Sequence, residues 1–167
     1  MSSLNTCLWF DGQAEEAARV WCRLLPDSEV TAVIRSPANW PAGRAGDVLR
    51  VEFTLMGPRY SGLNGGPGHP HSDAVSLAVG CDSQAEIDRL WEVLIADGGA
   101  PIMCGWLKDR FGVRWQIVPE RLMAMLRDGD PAGRARAFAA MSAMVKLDLA
   151  AVEAAYAGEA AAADGRS

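Results

Sequence analysis

An internal repeat constrains the fold of this 167-residue chain more than any other feature of its sequence. The letters DGQAE at residues 11–15 recur as DSQAE at residues 82–86, which is 71 positions (82 minus 11) further along. At both places an apolar, strand-like run precedes the match, and an apolar stripe with helical spacing follows it. The pattern predicts two paired βαβββ modules, about residues 4–67 and 72–119, within a region that spans residues 1–119.

Each module is predicted to contain one strand, one helix and three further strands, which makes the chain an α+β protein. The first helix runs from about Gln13 to Leu25, and the strand over Val48–Met56 shows the clearest alternation. The second module ends in a hairpin at Cys104–Pro119, where a glycine-containing turn separates two apolar runs. In the first strand, Leu4–Phe10, the pattern leaves open whether Trp9 or its neighbours point towards a pocket.

The remainder of the chain is predicted to form a helical C-terminal tail over residues 120–158. Its helices are expected near Leu122–Leu126, Ala132–Val145 and Leu149–Tyr156, and its methionines suit irregular apolar packing. Residues 159–167 are rich in alanine and lack apolar periodicity, so they are predicted to be disordered.

Composition and charge exclude several classes of partner. The net charge is −5, the pI is near 5.0 and no Lys/Arg cluster occurs, which argues against nucleic acid. No apolar run approaches the roughly 20 residues that span a bilayer, and no secretory signal is evident, so a cytoplasmic protein is predicted. The four cysteines form no CxxC pair and are expected to stay reduced. The expected partners are a small molecule and a second copy of the chain.

Two polar residues within predicted strands are the first candidates for a binding site. Gln116 lies between Trp115 and Ile117, and a buried amide there needs hydrogen-bond partners. It either satisfies the core or faces a cavity. Glu52 shares a strand face with Arg50, and this pair either covers a solvent-facing sheet surface or lies inside a sheet-lined cavity.

Other candidates come from loops, aromatic residues and cysteine. The two histidines occur in a Gly/Pro-rich segment, Cys104 is either a nucleophile or an inert thiol, and tryptophan rings could stack on a flat ligand. No nucleotide, zinc-protease or hydrolase motif is present, so neither a cofactor nor a catalytic set is predicted. The candidate ligand-binding residues are Trp9, Glu52, Asn64, His71, Cys104, Trp106 and Gln116.

Several long segments resemble the PhnB-like, 3-demethylubiquinone-9 3-methyltransferase-like branch of the vicinal oxygen chelate (glyoxalase/bleomycin resistance/dioxygenase) superfamily. These segments are LWFDGQAEEAA at 8–18, LNGGP at 63–67, AVSLAVGC at 74–81, CGWLKDRFGVRWQIVP at 104–119 and MSAMVKLDLAAVEAAYAG at 141–158. The resemblance covers nearly the whole chain. It implies the vicinal oxygen chelate fold, in which paired βαβββ modules form curled mixed sheets.

The resemblance also implies where metal-using members hold their ion. The corresponding positions fall near Leu4–Thr6, around Tyr60–Leu63, at Ala74 and at Gln116. None is a histidine or a carboxylate, and a neutral amide is a poor ligand for a hard divalent cation. We therefore expect no metal and no cofactor. Methyl transfer is not expected either, because Asp11-Gly12-Gln13 is too short to be a glycine-rich cofactor turn.

These observations predict a small-molecule-binding protein of unknown substrate that works without a metal ion. Two alternatives stay open: an enzyme that acts on an aromatic or quinone-like molecule, with Glu52, Cys104 and Gln116 in proton transfer, or a protein that sequesters a drug or metabolite. A homodimer is expected, because curled sheets leave apolar edges that a Met-rich tail could help to cover.

Overall fold

The computed structural model describes residues 4–159. They form two compact units, which divide between His71 and Ser72. The disorder predicted for the C-terminal end concerns residues that, apart from Glu159, lie outside the described part of the chain.

Unit 1 contains one helix and a four-stranded mixed sheet. Its elements are β1 (Thr6–Phe10), α1 (Ala14–Leu24), β2 (Glu29–Arg35), β3 (Val48–Thr54) and β4 (Arg59–Asn64). The strand order is β1-β4-β3-β2, in which β1 runs parallel to β4 and the other neighbours are antiparallel.

An apolar stripe packs α1 onto this sheet. Ala14, Ala17, Ala18 and Trp21 are buried as predicted, and the stripe ends with Leu24 inside the helix, while the predicted Leu25 is also buried but follows the last helical turn. The ring of Trp21 lies 6.0 Å from that of Phe53, and a Cβ on Gly62 would meet the Cβ of Ala14 at 3.0 Å. The glycine therefore lets the helix approach the sheet closely.

Unit 2 repeats this arrangement and adds the helical tail. Its elements are β5 (Leu77–Cys81), α2 (Gln84–Ile95), a short 3-10 helix (Ala96–Gly98), β6 (Ala100–Pro101), β7 (Trp106–Lys108), β8 (Arg114–Pro119), α3 (Glu120–Asp128), α4 (Pro131–Ser142) and α5 (Leu149–Ala157). The strand order is β5-β8-β7-β6, and β5 runs parallel to β8.

The spacing of the repeat matches the spacing of the elements. Strand β1 begins at Thr6 and β5 at Leu77, a separation of 71 residues (77 minus 6). Both units have the βαβββ element order and the same sheet topology, so the predicted α+β fold class is confirmed.

Two strands of unit 2 are shorter than predicted. Strand β5 begins at Leu77 rather than Ala74, and β6 has two residues, where four were expected. Pro101 cannot donate a backbone hydrogen bond, and the chain then takes positive φ angles at Cys104 (56°) and Gly105 (79°). This left-handed turn ends β6 early and directs the chain into β7.

The helical tail packs on unit 2 around an apolar cluster of its own. Leu122, Ala137, Leu147 and Val152 are fully buried there, and Val118 of β8 packs against them. The apolar periodicity of the tail did not show which surface it covers. The structure shows that the tail covers part of unit 2 beside β8.

Hydrogen bonds hold the segment before α5 against the hairpin and α2. The backbone N–H groups of Cys104 and Gly105 donate to the carbonyl oxygens of Met144 and Val145, both at 2.8 Å. The side chain of Gln84 donates to Leu147 O at 3.2 Å and accepts from Leu149 N at 2.9 Å. Gln84 belongs to the repeated letters, so the second copy uses this position to anchor the tail.

Within residues 4–159, none of the helices has the length and apolar character needed to cross a membrane.

Candidate functional site

The face of the unit 1 sheet that α1 does not cover carries a row of polar side chains. Val51 and Phe53 of β3 are buried, whereas Arg50, Glu52 and Thr54 alternate with them and are half-buried. This is the predicted alternation. Glu52 lies directly across from Ser61 of β4 in the antiparallel register.

The row continues to the residue that precedes β1. Asn5 Nδ2 donates to Ser61 Oγ at 3.2 Å, and Ser61 has no exposed surface. Because β4 lies between β1 and β3, Ser61 is flanked by Asn5 on one side and by Glu52 on the other. Three polar side chains from distant parts of the chain thus meet on one sheet face.

A cavity of about 340 Å³ opens on this part of unit 1. That volume is within the range of small-ligand sites in proteins. Its lining residues are Asn5, Thr31, Glu52, Phe53, Thr54, Arg59 and Tyr60. The rings of Phe53 and Tyr60 stack with centroids 5.6 Å apart. Phe53 packs against Trp21 of α1 and Tyr60 lies directly across from Phe53, so these rings belong to the α1 face of the sheet, and the side chains on the cavity face are polar.

Two charged side chains line the cavity, and they differ in how they are paired. Glu52 Oε1 lies 3.5 Å from Arg50 Nε, in an ion pair whose side chains are 39% and 34% exposed. Arg59 is exposed and forms no ion pair with any residue in the described range 4–159. The sequence singled out Glu52 and passed over Arg59, although alternation in Arg59–Asn64 places Arg59 on the face of Ser61.

Trp9 lies near a glycine loop and not among the residues that line the cavity. The sequence left open which side chains of β1 point to which face. Leu8 and Phe10 are buried, so Trp9 points to the opposite face of the sheet. Its Nε1 donates to Gly66 O at 2.7 Å, and its ring meets that of His69 edge-on at 4.8 Å. A Cβ on Gly65 would lie 2.2 Å from the indole, so this position needs glycine.

Asn64 and His71 also lie outside the cavity lining. The buried Asn64 accepts from Ala14 N at 3.0 Å and donates to Val48 O at 2.8 Å, which ties β4 to the start of α1 and to β3. His71 packs edge-on against Phe10, with centroids 5.4 Å apart. A ligand-binding role for either residue stays a prediction.

Three candidates belong to unit 2. Gln116 and Trp106 are directly paired across β8 and β7, and both are half-buried on one sheet face. Gln116 Nε2 donates to Ser76 Oγ at 2.7 Å. Cys104 precedes β7, and its Sγ lies 3.8 Å from Ser142 O in the tail.

The two units share an amide–hydroxyl pair at equivalent places. Asn5 and Ser76 precede β1 and β5 directly, and Ser61 and Gln116 are the third residues of β4 and β8. The bond runs from amide to hydroxyl in both units, but the residue types have exchanged places. The residue that meets Gln116 is Ser76, whereas the resemblance implied a ligand position at Ala74, two residues earlier.

This arrangement does not fit a divalent metal ion. The positions that metal-using superfamily members employ hold neutral side chains here, and these bond to one another. Among residues 4–159, no group of three or more His, Cys, Asp or Glu side chains is placed to hold a metal. A hard cation would need charged or water oxygens that these pairs do not supply.

Asp109 is a buried polar residue that sequence reasoning missed. Its Oδ1 accepts from Phe111 N at 3.0 Å and Val113 N at 2.9 Å, and its Oδ2 accepts from Trp115 Nε1 at 2.9 Å. The sequence pattern marks residues 108–112 only as the turn of the hairpin, yet Asp109 within it is only 2% exposed. The signal that could have revealed it is an aspartate three residues before a glycine, a frequent turn pattern. Asn5, Thr31 and Tyr60 were also passed over as cavity residues.

Comparison with known proteins agrees with this architecture. The family model described as 3-demethylubiquinone-9 3-methyltransferase matches residues 2–118, which end just before the helical tail. No curated protein matches the chain.

Among solved structures, a Bacillus cereus protein described as a PhnB protein and a 3-demethylubiquinone-9 3-methyltransferase is 33% identical, with a TM-score of 0.63. The match covers 71% of this chain and 99% of that one. Protein PA1353 from Pseudomonas aeruginosa is 23% identical with a TM-score of 0.58, over 72% and 98% of the two chains. The resemblance to the PhnB-like branch is confirmed, and the chain belongs to the family described as 3-demethylubiquinone-9 3-methyltransferase.

Proposed function

We propose that the protein is a cytoplasmic small-molecule-binding protein that holds its ligand in the unit 1 cavity without a metal ion or cofactor. The observation that carries this proposal is the cavity of about 340 Å³, which is lined by a few polar residues, Asn5, Glu52, Thr54 and Arg59, with Tyr60 beside them. A concave site of this size with a few oriented polar groups is typical of small-ligand sites.

The proposal does not include methyl transfer, although the family's description names that activity. The turn between β1 and α1 is Asp11-Gly12-Gln13, and Gly12 alone takes a positive φ angle there, 91°. A site for a nucleotide-type cofactor usually needs more backbone close to the ligand than one glycine provides.

An enzyme is the second candidate function, and Glu52 is the residue that favours it. Glu52 is the carboxylate in the cavity lining, so it could accept a proton from a bound ligand. Cys104 and Gln116, which the sequence suggested as its partners, belong to unit 2, and their part in proton transfer stays a prediction. Within unit 1, the groups beside Glu52 are the hydroxyl of Ser61 and the amide of Asn5 that bonds to it.

A cavity-filling variant tests the proposal. Small-molecule hits are first identified by thermal shift and native mass spectrometry on the full-length chain. Thr54→Trp should abolish their binding, because Thr54 lines the cavity, whereas the matched Thr6→Trp on β1 should retain it. Circular dichroism spectra of the two variants should match that of the wild type, as a check that both are folded. Equal binding by a folded Thr54→Trp variant would refute the site.

Two further measurements address the other parts of the proposal. About one transition-metal ion per chain in elemental analysis of the purified protein would contradict metal independence. Prolonged incubation with a bound hit separates the two candidate functions, since an enzyme converts the ligand and a binding protein returns it unchanged. Loss of turnover in Glu52→Gln, with binding retained, would assign the proton transfer to Glu52.

A further inference from the structure

We infer that the unit 1 cavity selects ligands that carry one anionic group, a carboxylate or a phosphate, and that Arg59 binds this group. The inference rests on the proposed function and narrows it to a chemical class. It follows from the charges and the hydrogen-bonding capacity of the cavity lining.

The two charged residues of the cavity lining differ in their ion-pair partners. Glu52 and Arg59 are the charged residues in the lining, and Glu52 has an ion-pair partner in Arg50 at 3.5 Å. Arg59 forms no ion pair within residues 4–159, so its positive charge is the one that an incoming ligand can neutralise. Its planar guanidinium can bind a carboxylate or phosphate with two parallel hydrogen bonds.

Two residues that line the cavity with Arg59 keep a hydrogen-bond donor available for a ligand. Thr54 lies directly across from Arg59, and its Oγ1 accepts from Glu29 N at 3.3 Å, so the hydroxyl proton stays available. Asn5 uses one amide proton for Ser61 and keeps the second. A surface of donors next to a cation matches a ligand group that only accepts, which is what an ionised carboxylate or phosphate does.

The size of the cavity limits the rest of the ligand. A volume of about 340 Å³ is near the lower end of the range for ligand sites, which favours a compact molecule over a dinucleotide. The half-buried Tyr60 belongs to the lining, so the body of the ligand can also contact an aromatic residue. A small aromatic acid or aryl phosphate has both features.

Four probes test the inference by calorimetry and protein NMR on the full-length chain: benzoate, phenyl phosphate, benzamide and inorganic phosphate. Benzoate or phenyl phosphate should bind more tightly than the neutral benzamide, and the stronger of the two identifies the preferred anion. The difference in affinity between phenyl phosphate and inorganic phosphate measures the contribution of the aromatic ring. Binding of the anions should weaken at high salt.

Variants of two exposed arginines locate the anion. Arg59→Gln should weaken binding of the anionic probes by about 10- to 100-fold, as expected for loss of hydrogen bonds from a charged donor. Arg59→Lys should restore part of the affinity, because it keeps the charge but loses the planar fork. Arg35→Gln, on β2 of the same unit and outside the cavity lining, is the matched control and should bind like the wild type.

The outcomes separate this inference from the proposed function. If benzamide binds as tightly as benzoate, or a folded Arg59→Gln variant keeps its affinity for anions, the inference is wrong. The same holds if neither aromatic anion binds at millimolar concentration. In each case, neutral hits that Thr54→Trp abolishes would leave the proposed function intact, whereas the absence of any hit at this cavity would refute both.

Discussion

Gln116 donates a 2.7 Å hydrogen bond to Ser76, and unit 1 contains the same bond with its two residue types exchanged. There Asn5 supplies the amide and Ser61 the hydroxyl, at 3.2 Å. Hydroxyl and carboxamide groups can each donate and accept, so either order can join the start of the first strand to the last strand. The repeat thus retains the contact without retaining the residues.

The first prediction concerns this pair. Gln116→Leu and Ser76→Ala should each lower the free energy of unfolding by about 1 kcal/mol, and the double variant should lose less than the sum, because both single changes remove one bond. Urea denaturation measures the free energy of unfolding of the wild type, the two single variants and the double variant. Additive losses would show that the bond contributes no stability. The cycle of Asn5→Ala with Ser61→Ala is the matched comparison in unit 1.

Ligand binding by Gln116→Leu answers the separate question that the sequence left open for this residue. If Gln116 contacts a ligand, the variant should lose binding while it stays folded. A large drop in melting temperature with binding retained would refute the ligand role and leave Gln116 as a structural residue.

The second prediction concerns the buried carboxylate in the hairpin. Asp109→Ala should destabilise the protein by about 3 kcal/mol, because it leaves the indole N–H of Trp115 and two backbone N–H groups without their acceptor. Asp128→Ala, at an exposed position where the carboxylate pairs with the neighbouring Arg127, should cost less than about 1 kcal/mol. Thermal and urea unfolding compare the two. Similar losses would contradict a specific role for Asp109.

The third prediction concerns pH. Burial, with a smaller contribution from Glu86, raises the pKa of the Cys81 thiol from 9.0 to about 12. The folded state therefore holds this proton more tightly than the unfolded state. The contribution of the protonated thiol to the free energy of unfolding is complete below pH 9 and is lost as the pH rises from about 9 to 12. The expected slope from this thiol is about 1.4 kcal/mol per pH unit.

The variant Cys81→Ala provides the control, because other groups also titrate in alkaline solution. Its stability at pH 8 should be lower, owing to lost packing, but its decrease from pH 8 to pH 10 should be smaller than that of the wild type. Equal decreases in the two proteins would show that Cys81 does not contribute to the pH dependence.

The fourth prediction is a homodimer. Met125, Met141 and Met144 pack against the apolar cluster of unit 2, whereas Met123 and Phe138 stay exposed on α3 and α4. Light scattering at micromolar concentration should give about twice the 17.8 kDa mass of one chain. Phe138→Asp should shift the mass towards the monomer, while Val93→Asp on α2, also an exposed apolar position, should not. A monomeric wild type would contradict the prediction.

Patterns among neighbouring residues, and the recurrence of those patterns, indicated the architecture. The repeat located both modules, 71 positions apart, and alternation from Arg50 to Thr54 separated buried from half-buried residues, although Leu49 on the predicted buried face is half-buried. These features are readable because helix and strand periodicity depends on neighbours a few residues apart. The apolar stripe of α1 followed from the same local rule.

Contacts between distant segments decided the candidate site. Asn5 and Ser61 are 56 residues apart and meet only because β1 runs beside β4, a pairing that local periodicity does not encode. Arg59 reaches the cavity through the antiparallel pairing of β3 and β4, in which it lies across from Thr54. The tail finds its place through Gln84, 65 residues before Leu149. The sequence by itself therefore determined the order of elements and their buried faces. Only the tertiary structure decided which polar side chains meet, because strand order sets those neighbours.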